Sequence, residues 1–261
     1  ERHLAARFNT EEHAIVDHHT YVIASDGDLM EGVSSEAASL AGMLKLGKLI
    51  VMYDDNNITI EGSTDLAFTE DVGKRFEAYG WHVLEVSDGN DCSAISRALE
   101  EAKARDDRPS LIKVKTIIGY GSPKADTAGV HGAPLGTDGA KETYEFLDWD
   151  ETDPFTVPAD LLDWFSDKKS KLAEYEDEWL ESYKVWQQDQ PELAQKLAND
   201  VERDYPELDV EELSDAVEKD IATRSASGLI LNAIYDKGVP LFGGSADLAP
   251  STMTLLDEQG S

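Results

Sequence analysis

The sequence has 261 residues, of which 41% are hydrophobic, and this is enough for a substantial core. Its 54 acidic and 23 basic side chains give a net charge of −31 at pH 7. This charge excludes nucleic acids and anionic membranes as partners, because both require clustered Lys and Arg. No apolar run is long enough to span a bilayer, and the single cysteine, Cys92, excludes an internal disulfide.

The acidic excess also predicts the environment of the protein. Like charges repel one another in a compact chain, and dissolved salt screens that repulsion, as in halophilic proteins. The chain begins with ERHLAARF, which has neither an initiator Met nor the apolar segment of a secretory signal. We therefore expect a piece of a longer protein from a salt-adapted cytoplasm.

Two short apolar runs, Tyr21–Ala24 and Leu49–Tyr53, are nearly free of charge. Such runs are typical of strands in a parallel sheet whose two faces are both covered by helices. Between them, Glu31–Leu46 is rich in Ala, Ser, Leu and Met and is long enough for a crossover helix. The sequence therefore predicts a strand–helix–strand unit.

Oxygen-bearing side chains follow both of these strands. Residues 25–28 read Ser-Asp-Gly-Asp, and residues 54–57 read Asp-Asp-Asn-Asn. In a right-handed crossover unit both loops leave the sheet at the carboxyl ends of the strands, where open α/β sheets hold ligands. Asp-Gly and Asn-Asn also occur in ordinary turns, but their position after two strands of one unit favours a shared site.

The residue types in these loops suit a divalent cation bound to a diphosphate. Asp26 supplies a charged oxygen, Asn56 a neutral one, and the following turn a backbone carbonyl, which we assign to Ile58. Three such oxygens leave about half of an octahedral Mg²⁺ shell for phosphate oxygens and water, and Ca²⁺ or Mn²⁺ also accepts these ligands. Gly27 lets the backbone approach a phosphate closely.

Helices and strands continue to alternate after this unit. The pattern predicts a helix over Asp71–Tyr79, a strand over Trp81–Val86, a helix over Asp91–Arg105 and a strand over Ser110–Val114. This alternation predicts an α/β fold with a mostly parallel sheet and helices on both faces.

A long glycine-rich loop, Thr116–Gly136, follows the last of these strands and carries His131. Long ordered loops in compact domains are usually functional. An imidazole there can donate to a phosphate or transfer a proton, although a loop histidine can also simply cap a neighbouring group.

The remainder of the chain divides at about residue 221. Residues 141–221 are helical and acidic, and a new unit begins with a helix over 223–234 and a strand over Pro240–Gly243. Arg224 lies in the first turn of that helix, and Ser251 follows a Gly-rich turn. Arg and Ser together suit a phosphate, whereas separately they also fit a surface ion pair and a helix N-cap.

Five blocks of this sequence resemble transketolases. The segment from Asp26 to Gly62, DGDLMEG…DDNNITIEG, is similar to the thiamine diphosphate motif of that family, which begins with Gly-Asp-Gly and ends with Asn-Asn. Ser25 departs from the motif because the family usually has Gly there, and Asp28 adds a carboxylate near the proposed metal. The other blocks follow in the family order: RFEAYGWHV at 75–83, KTIIGYGSP at 115–123, HGAPLG at 131–136 and FGGSADLAPS at 242–251.

The resemblance implies a division into three parts. Residues 1–140 correspond to the C-terminal part of the diphosphate-binding domain, 141–221 to an acidic helical connection, and 222–261 to the start of the pyrimidine-binding domain. Both ends are then expected to be truncations. The family's activating glutamate would lie beyond Ser261, so we expect no turnover by this polypeptide alone.

The resemblance also implies a role for each candidate residue. Glu31 and Glu36 would lie near the contact between two subunits, although a glutamate in a first helical turn is also explained by the helix dipole. The metal would be held by Asp26, Asn56 and Ile58; the cofactor would contact Asp26, Gly27, Asn56, His131 and Asp247; and the sugar phosphate would contact His131, Arg224 and Ser251.

The activity implied is the transfer of a two-carbon ketol unit from a ketose phosphate to an aldose phosphate. It would use thiamine diphosphate and a divalent metal, in a homodimer, within the pentose phosphate pathway. His131 and Glu31 would be its catalytic residues. Three alternatives stay open at this point: a formaldehyde-using transketolase, a phosphoketolase, and a non-catalytic partner subunit that keeps the fold.

Overall fold

The computed structural model describes residues 1–149, 155–215, 217, 220–257 and 259. They form two compact units, Glu1–Glu176 and Asp177–Ser261, and each is described by itself. The divisions at 140/141 and 221/222 stay predictions. Parts of the two later segments lie outside the described residues, namely 150–154, 216, 218 and 219 of the connection and 258, 260 and 261 of the final segment.

A four-stranded sheet forms the centre of the first unit. Its strands are β1 Thr20–Ser25, β2 Leu49–Asp55, β3 His82–Val86 and β4 Ser110–Lys115. All neighbours pair in parallel, in the order β1-β2-β4-β3. The predicted α/β class with a mostly parallel sheet is confirmed, and each of these four strands coincides with a predicted one to within two residues at either end.

Helices surround the sheet and continue into the second unit. In the first unit they are α1 Arg2–Phe8, α2 Asp26–Met30, α3 Gly32–Met43, α4 Val72–Ala78, α5 Cys92–Lys103 and α6 Gly136–Phe146. A long helix, α7 Ala159–Asp189, crosses from the first unit to the second. The second unit then has α8 Pro191–Glu202, α9 Val210–Asp215, α10 Thr223–Asp236 and α11 Ala249–Thr252.

The predicted crossover helix over Glu31–Leu46 is confirmed as α3, with Glu31 as its N-cap. The crossover also contains a second, short helix, α2, which was not predicted. Ser25 and Asp28 form a capping box that starts α2 directly after β1. Glu31 then has an extended backbone between α2 and α3. Lys45 has a φ of 53°, outside the helical region, so α3 ends earlier than predicted.

Capping aspartates set the beginnings of the next two helices. The Asp71 side chain accepts from the Lys74 N–H at 3.0 Å, and the Asp91 side chain accepts from the Ala94 N–H at 2.9 Å. Each bond satisfies a backbone donor that has no partner within its helix. The predicted helices over 71–79 and 91–105 are therefore confirmed, with the two aspartates as N-caps.

Apolar residues alternate between two cores on β2 and β4, as the period of two in a strand requires. On one face, Val51, Tyr53 and Leu111 pack with residues of α2, α3 and α4. On the other face, Ile50 and Ile112 pack with residues of α5. Helices therefore cover both faces of these central strands, as predicted.

Strand β1 differs from this arrangement. It lies at one end of the strand order, and of its six residues only Ala24 is buried. Tyr21 is 49% exposed and Ile23 is 75% exposed. No helix among the described residues packs over Tyr21 and Ile23, so the prediction that both faces of this strand are covered is wrong for the described part of the chain.

In the second unit, α10 confirms the predicted helix over 223–234, but the predicted strand over Pro240–Gly243 is wrong. Residues 239–245 have no regular secondary structure. A strand needs a neighbour for its ladder hydrogen bonds, and the strands within the described residues all belong to the sheet of the first unit. None of the helices that the structure describes combines the length and the apolarity needed to span a membrane.

Candidate functional site

The site predicted at the carboxyl ends of β1 and β2 is built by the register of these strands. Ser25 pairs with Asp54 at the last step of the ladder, so Asp26 and Asn56 follow at the same edge of the sheet. Both are polar residues that the fold buries, with exposed fractions of 2% for Asp26 and 8% for Asn56. Buried polar groups are costly unless they are hydrogen-bonded or bind a ligand.

The two carboxylate oxygens of Asp26 have different surroundings. Oδ1 accepts a hydrogen bond from the Tyr53 hydroxyl. Oδ2 is fully buried, and no described residue donates a hydrogen bond to it. An orphaned carboxylate oxygen in a native fold requires an explanation, and a cation held at this edge of the sheet is one that its chemistry suits.

Burial raises the pKa of the Asp26 carboxyl above its usual value, and the charges of Asp55 and Asp54 raise it further. The Tyr53 hydroxyl and the Asn57 backbone N–H lower it by stabilising the carboxylate. Asn57 belongs to the turn that follows β2, so this influence on the pKa comes from that turn. Burial likewise raises the pKa of Tyr53, and the neighbouring Asp26 adds to this rise, so the hydroxyl stays protonated and donates.

The turn after β2 orients the Asn56 carboxamide. Its Oδ1 accepts from the Ile58 N–H at 2.9 Å, which forms an Asx turn. Its Nδ2 lies 3.5 Å from Oδ2 of Asp54, and Oδ1 of Asp54 accepts from the Thr116 hydroxyl. Asn57 has a φ of 61°, a left-handed conformation that Asn adopts more readily than most residues.

Gly27 borders open space. A Cβ built on this residue would meet nothing within 4 Å, although Gly27 lies between the buried Asp26 and the capping Asp28. The absence of a side chain there is therefore not required by packing among the described residues. It fits the close approach of a ligand to the backbone.

Asp28 has a structural role that the sequence interpretation missed. Its Oδ2 accepts from the Ser25 N–H at 2.8 Å and from the Ser25 hydroxyl at 2.9 Å. The two departures from the transketolase motif therefore contact each other at the end of β1. The spacing Ser-x-x-Asp was the available signal, because it is typical of a capping box.

The roles of Tyr53, Asp54 and Thr116 were also missed. For Tyr53 a partial signal did exist, because the hydroxyl of a tyrosine that is buried in an apolar strand needs a partner. For Asp54 and Thr116 the contact spans 62 positions of sequence, so no local pattern could have indicated it.

The predicted subunit-contact residues lie on the crossover helices. Glu31 stands between α2 and α3, and its backbone oxygen accepts from the Ser34 N–H at 3.1 Å and from the Ser34 hydroxyl at 2.7 Å. The side chains of Glu31 and Glu36 are exposed. Both catalytic and structural roles for these glutamates stay predictions.

His131 lies on the long loop after β4, just after a short 3-10 turn over Ala128–Val130. Its N–H donates to the Ala128 carbonyl at 3.1 Å, and its side chain is exposed. Among the contacts between described residues, none joins His131 to Asp26 or Asn56. Its proposed contacts with diphosphate and sugar stay a prediction.

The remaining candidates belong to the second unit. Arg224 is the second residue of α10 and is exposed. Ser251 lies within α11, whose N-cap is Leu248, so the alternative in which Ser251 is a helix N-cap is wrong. Asp247 is exposed and has a φ of 58°. Their binding of sugar phosphate or cofactor stays a prediction.

The donor set at the sheet edge restricts the kind of metal it can hold. Within the described residues, no three His, Cys, Asp or Glu side chains cluster as metal ligands. A cation at Asp26 would therefore be held by one carboxylate together with amide and carbonyl oxygens. This set suits a hard cation such as Mg²⁺ that takes its other ligands from phosphate and water.

Comparison with known proteins identifies the family. The chain matches a family model described as transketolase, thiamine diphosphate binding domain, over residues 1–206. It is 51% identical to the transketolase of Halalkalibacterium halodurans, over 98% of this chain and 39% of that protein. It is 50% identical to the transketolase of Geobacillus stearothermophilus, over 100% of this chain and 40% of that protein.

Solved structures give the same answer. The transketolase of Leishmania mexicana has a TM-score of 0.89 at 39% identity, covering 97% of this chain and 38% of that chain. A complex of Pichia stipitis transketolase with sedoheptulose 7-phosphate has a TM-score of 0.88 at 41% identity, with the same coverage.

The α/β sheet described above is thus the sheet of a thiamine diphosphate-binding domain. The chain belongs to the transketolase family, and the resemblance carried by the five sequence blocks is confirmed. The chain spans 39–40% of the length of the first two relatives.

Proposed function

We propose that the full-length protein is a transketolase that moves a two-carbon ketol unit from a ketose phosphate to an aldose phosphate. The reaction belongs to the pentose phosphate pathway and takes place in the cytoplasm. The observation that supports this proposal most directly is Oδ2 of Asp26, a buried oxygen at the edge of the sheet to which no described residue donates a hydrogen bond. A diphosphate-binding domain needs a cation at such a position to neutralise the phosphates.

Each residue of the sheet edge then has a task. Asp26, Asn56 and the Ile58 carbonyl hold Mg²⁺, or Ca²⁺ or Mn²⁺ in its place. Gly27 leaves room for the diphosphate against the backbone. Thiamine diphosphate, when bound, supplies the electron sink that the reaction needs, and the protein supplies orientation and electrostatics.

The residues outside the sheet edge act on the substrate. His131 donates hydrogen bonds to the diphosphate and to sugar hydroxyls and moves a proton between oxygens. Arg224 and Ser251 hold the sugar phosphate, because a planar guanidinium grips phosphate at two oxygens and a hydroxyl adds a third donor. Asp247 faces the cofactor from the neighbouring subunit.

The proposal includes a homodimer with α3 at its interface. Val33, Leu40 and Met43 are exposed apolar residues of this helix, on the segment that carries Glu36. Contiguous exposed apolar surface is typical of protein–protein contacts. Glu31 and Glu36 would then lie near the second subunit, and sedimentation equilibrium of the full-length protein reports the subunit number directly.

The test is a set of assays on the full-length protein with xylulose 5-phosphate as donor. Turnover with ribose 5-phosphate supports the proposal, whereas turnover only with formaldehyde or only with inorganic phosphate replaces it with one of the related enzymes. Calorimetry of thiamine diphosphate with and without Mg²⁺ completes the set. A protein that binds neither would be a non-catalytic partner subunit.

Gly27→Ala tests the diphosphate contact. We expect the affinity for thiamine diphosphate with Mg²⁺ to fall at least about tenfold, or about 1.4 kcal/mol, because the new methyl group occupies the space proposed for the ligand. The fold should be unaffected or slightly more stable, since Ala is favoured over Gly within a helix such as α2 by about 0.5–1 kcal/mol. Calorimetry and urea unfolding measure the two effects separately, and an unchanged affinity would contradict the assignment.

A salt series tests the proposed salt-adapted origin. We expect the urea midpoint of unfolding to rise as KCl increases from low to molar concentration, because ions screen the repulsion within a chain of net charge −31. Sucrose is the control, since it favours the compact state without screening charge. A midpoint that responds to sucrose but not to KCl would count against the proposal.

A further inference from the structure

Tyr53 connects the hydrophobic core to the sheet-edge site. It lies on β2, where it pairs with Ala24 of β1, two residues before Asp26. Its side chain is only 3% exposed and packs in the core cluster that also contains Leu29 and Phe76. Its hydroxyl donates a hydrogen bond to Oδ1 of Asp26. The ring is therefore packed in the core, while its hydroxyl is hydrogen-bonded at the site.

This hydrogen bond distinguishes the two carboxylate oxygens. The terminal torsion of an aspartate is broad, so a carboxylate without such a bond can rotate its plane and turn its free oxygen away from a cation. The Tyr53 hydroxyl donates to Oδ1. Oδ2, which is buried and has no hydrogen-bond partner among the described residues, is then the oxygen available to a cation. The ring that carries the hydroxyl is fixed by its packing, so the donor itself is fixed.

We propose that Tyr53 is a positioning residue for the cation site, in that its hydroxyl orients the Asp26 carboxylate so that Oδ2 faces the metal. The inference rests on the proposed function, because it takes Asp26 as a metal ligand. Tyr53 itself touches neither metal nor substrate. Outer groups that hydrogen-bond to metal ligands fix ligand orientation, and losing one typically costs about 10–100-fold in metal affinity.

Tyr53→Phe in the full-length protein tests the inference, because it keeps the packed ring and removes only the hydroxyl. The measurement is the Kd of Mn²⁺ in the presence of thiamine diphosphate, followed by electron paramagnetic resonance. We expect a Kd about 10–100-fold higher, with maximal turnover recovered once Mn²⁺ saturates the site. A purely structural tyrosine would change the unfolding midpoint without this specific change in cation affinity.

Tyr79→Phe is the matched control. Tyr79 packs against the same core cluster and stacks edge-on against Phe76 with ring centroids 6.0 Å apart. Its hydroxyl has no role at Asp26 in the proposal, so the Mn²⁺ affinity should not change.

Asp26→Asn distinguishes a failure of the metal site itself from a failure of the positioning role of Tyr53. If Asp26→Asn weakens Mn²⁺ binding and Tyr53→Phe does not, the site stands and the positioning role is wrong. If neither substitution affects Mn²⁺ binding, the metal site itself is wrong. A Tyr53→Phe protein that loses its cooperative unfolding transition also overturns the inference, because the hydroxyl would then serve the fold.

Discussion

Asp26→Asn should weaken Mg²⁺-dependent binding of thiamine diphosphate by the full-length protein more than any other single substitution proposed for the site. The substitution removes the one charged ligand, and Asn56 and the Ile58 carbonyl supply only neutral oxygens. We expect a loss greater than about 100-fold, the upper limit typical for groups that merely support a ligand. Calorimetric titration of thiamine diphosphate at fixed Mg²⁺ measures it.

Asp28→Asn is the matched control, since it removes the same charge two positions away. The Asp28 carboxylate is held by the Ser25 N–H and hydroxyl, so its loss should destabilise the start of α2 by about 0.5–2 kcal/mol and leave cation affinity nearly unchanged. Equal losses of affinity in the two variants would mean that general charge, and not the Asp26 ligand, attracts the metal.

Although Asp26→Asn should weaken ligand binding, it should raise the folding stability of the metal-free protein. Burial raises the pKa of Asp26 above the usual 3.8, so the ionised carboxylate destabilises the fold at neutral pH. This destabilisation is present above the folded-state pKa and disappears as the pH falls toward 3.8. We therefore expect the variant to be more stable than the wild type at pH 7 without metal, and the difference to shrink on acidification. Urea unfolding at several pH values measures the difference.

Gly42→Ala should strongly destabilise the first unit, against the ordinary preference for Ala in helices. A Cβ at Gly42 would lie 1.9 Å from the backbone oxygen of Tyr79 and 3.4 Å from Cδ1 of Trp81. The clash is with backbone, which cannot rotate away, so α3 must shift from the end of α4. Overpacking typically costs about 1–3 kcal/mol of stability, occasionally more, and we expect a cost in the upper part of that range here. This cost is larger than the roughly 1 kcal/mol that Ala gains over Gly from helix propensity, so the variant should be less stable overall.

Gly32→Ala controls for helix propensity in the same helix, because a Cβ at Gly32 would meet nothing within 4 Å. Urea unfolding of the two variants separates the steric cost from the gain in propensity. If Gly42→Ala unfolds at the same urea concentration as Gly32→Ala, the contact between α3 and the Tyr79 carbonyl is not as tight as described.

Much of the fold of the first unit follows from local patterns. Apolar runs such as Leu49–Tyr53 predict buried strands, and Asp71 and Asp91 mark helix starts because a carboxylate there satisfies free backbone donors. The exposure of Ile23 and the missing strand over Pro240–Gly243 could not be predicted in this way. The first depends on which helices pack over a strand and the second on whether a neighbouring strand is present, and both are properties of the assembled fold.

The residues of the candidate site also divide into those that local sequence predicts and those that only the assembled fold reveals. Asp26 and Asn56 could be predicted together because strand register brings consecutive loops to one edge. The role of Tyr53 depends on the direction in which its packed ring points, and the role of Asp28 depends on the capping box that it forms with Ser25. Side-chain directions of this kind emerge only when the core is assembled.

Because β1 is an edge strand, dissolved salt should affect the association between molecules as well as the stability of each molecule. In the part of the chain that the structure describes, β1 is the end strand of the sheet, so its outer backbone groups can pair with a strand of another molecule. The large negative charge keeps molecules apart and so protects this edge in dilute buffer. Concentrated electrolyte screens that repulsion. If it also stabilises the fold, as the salt series tests, precipitation and thermal resistance should increase together.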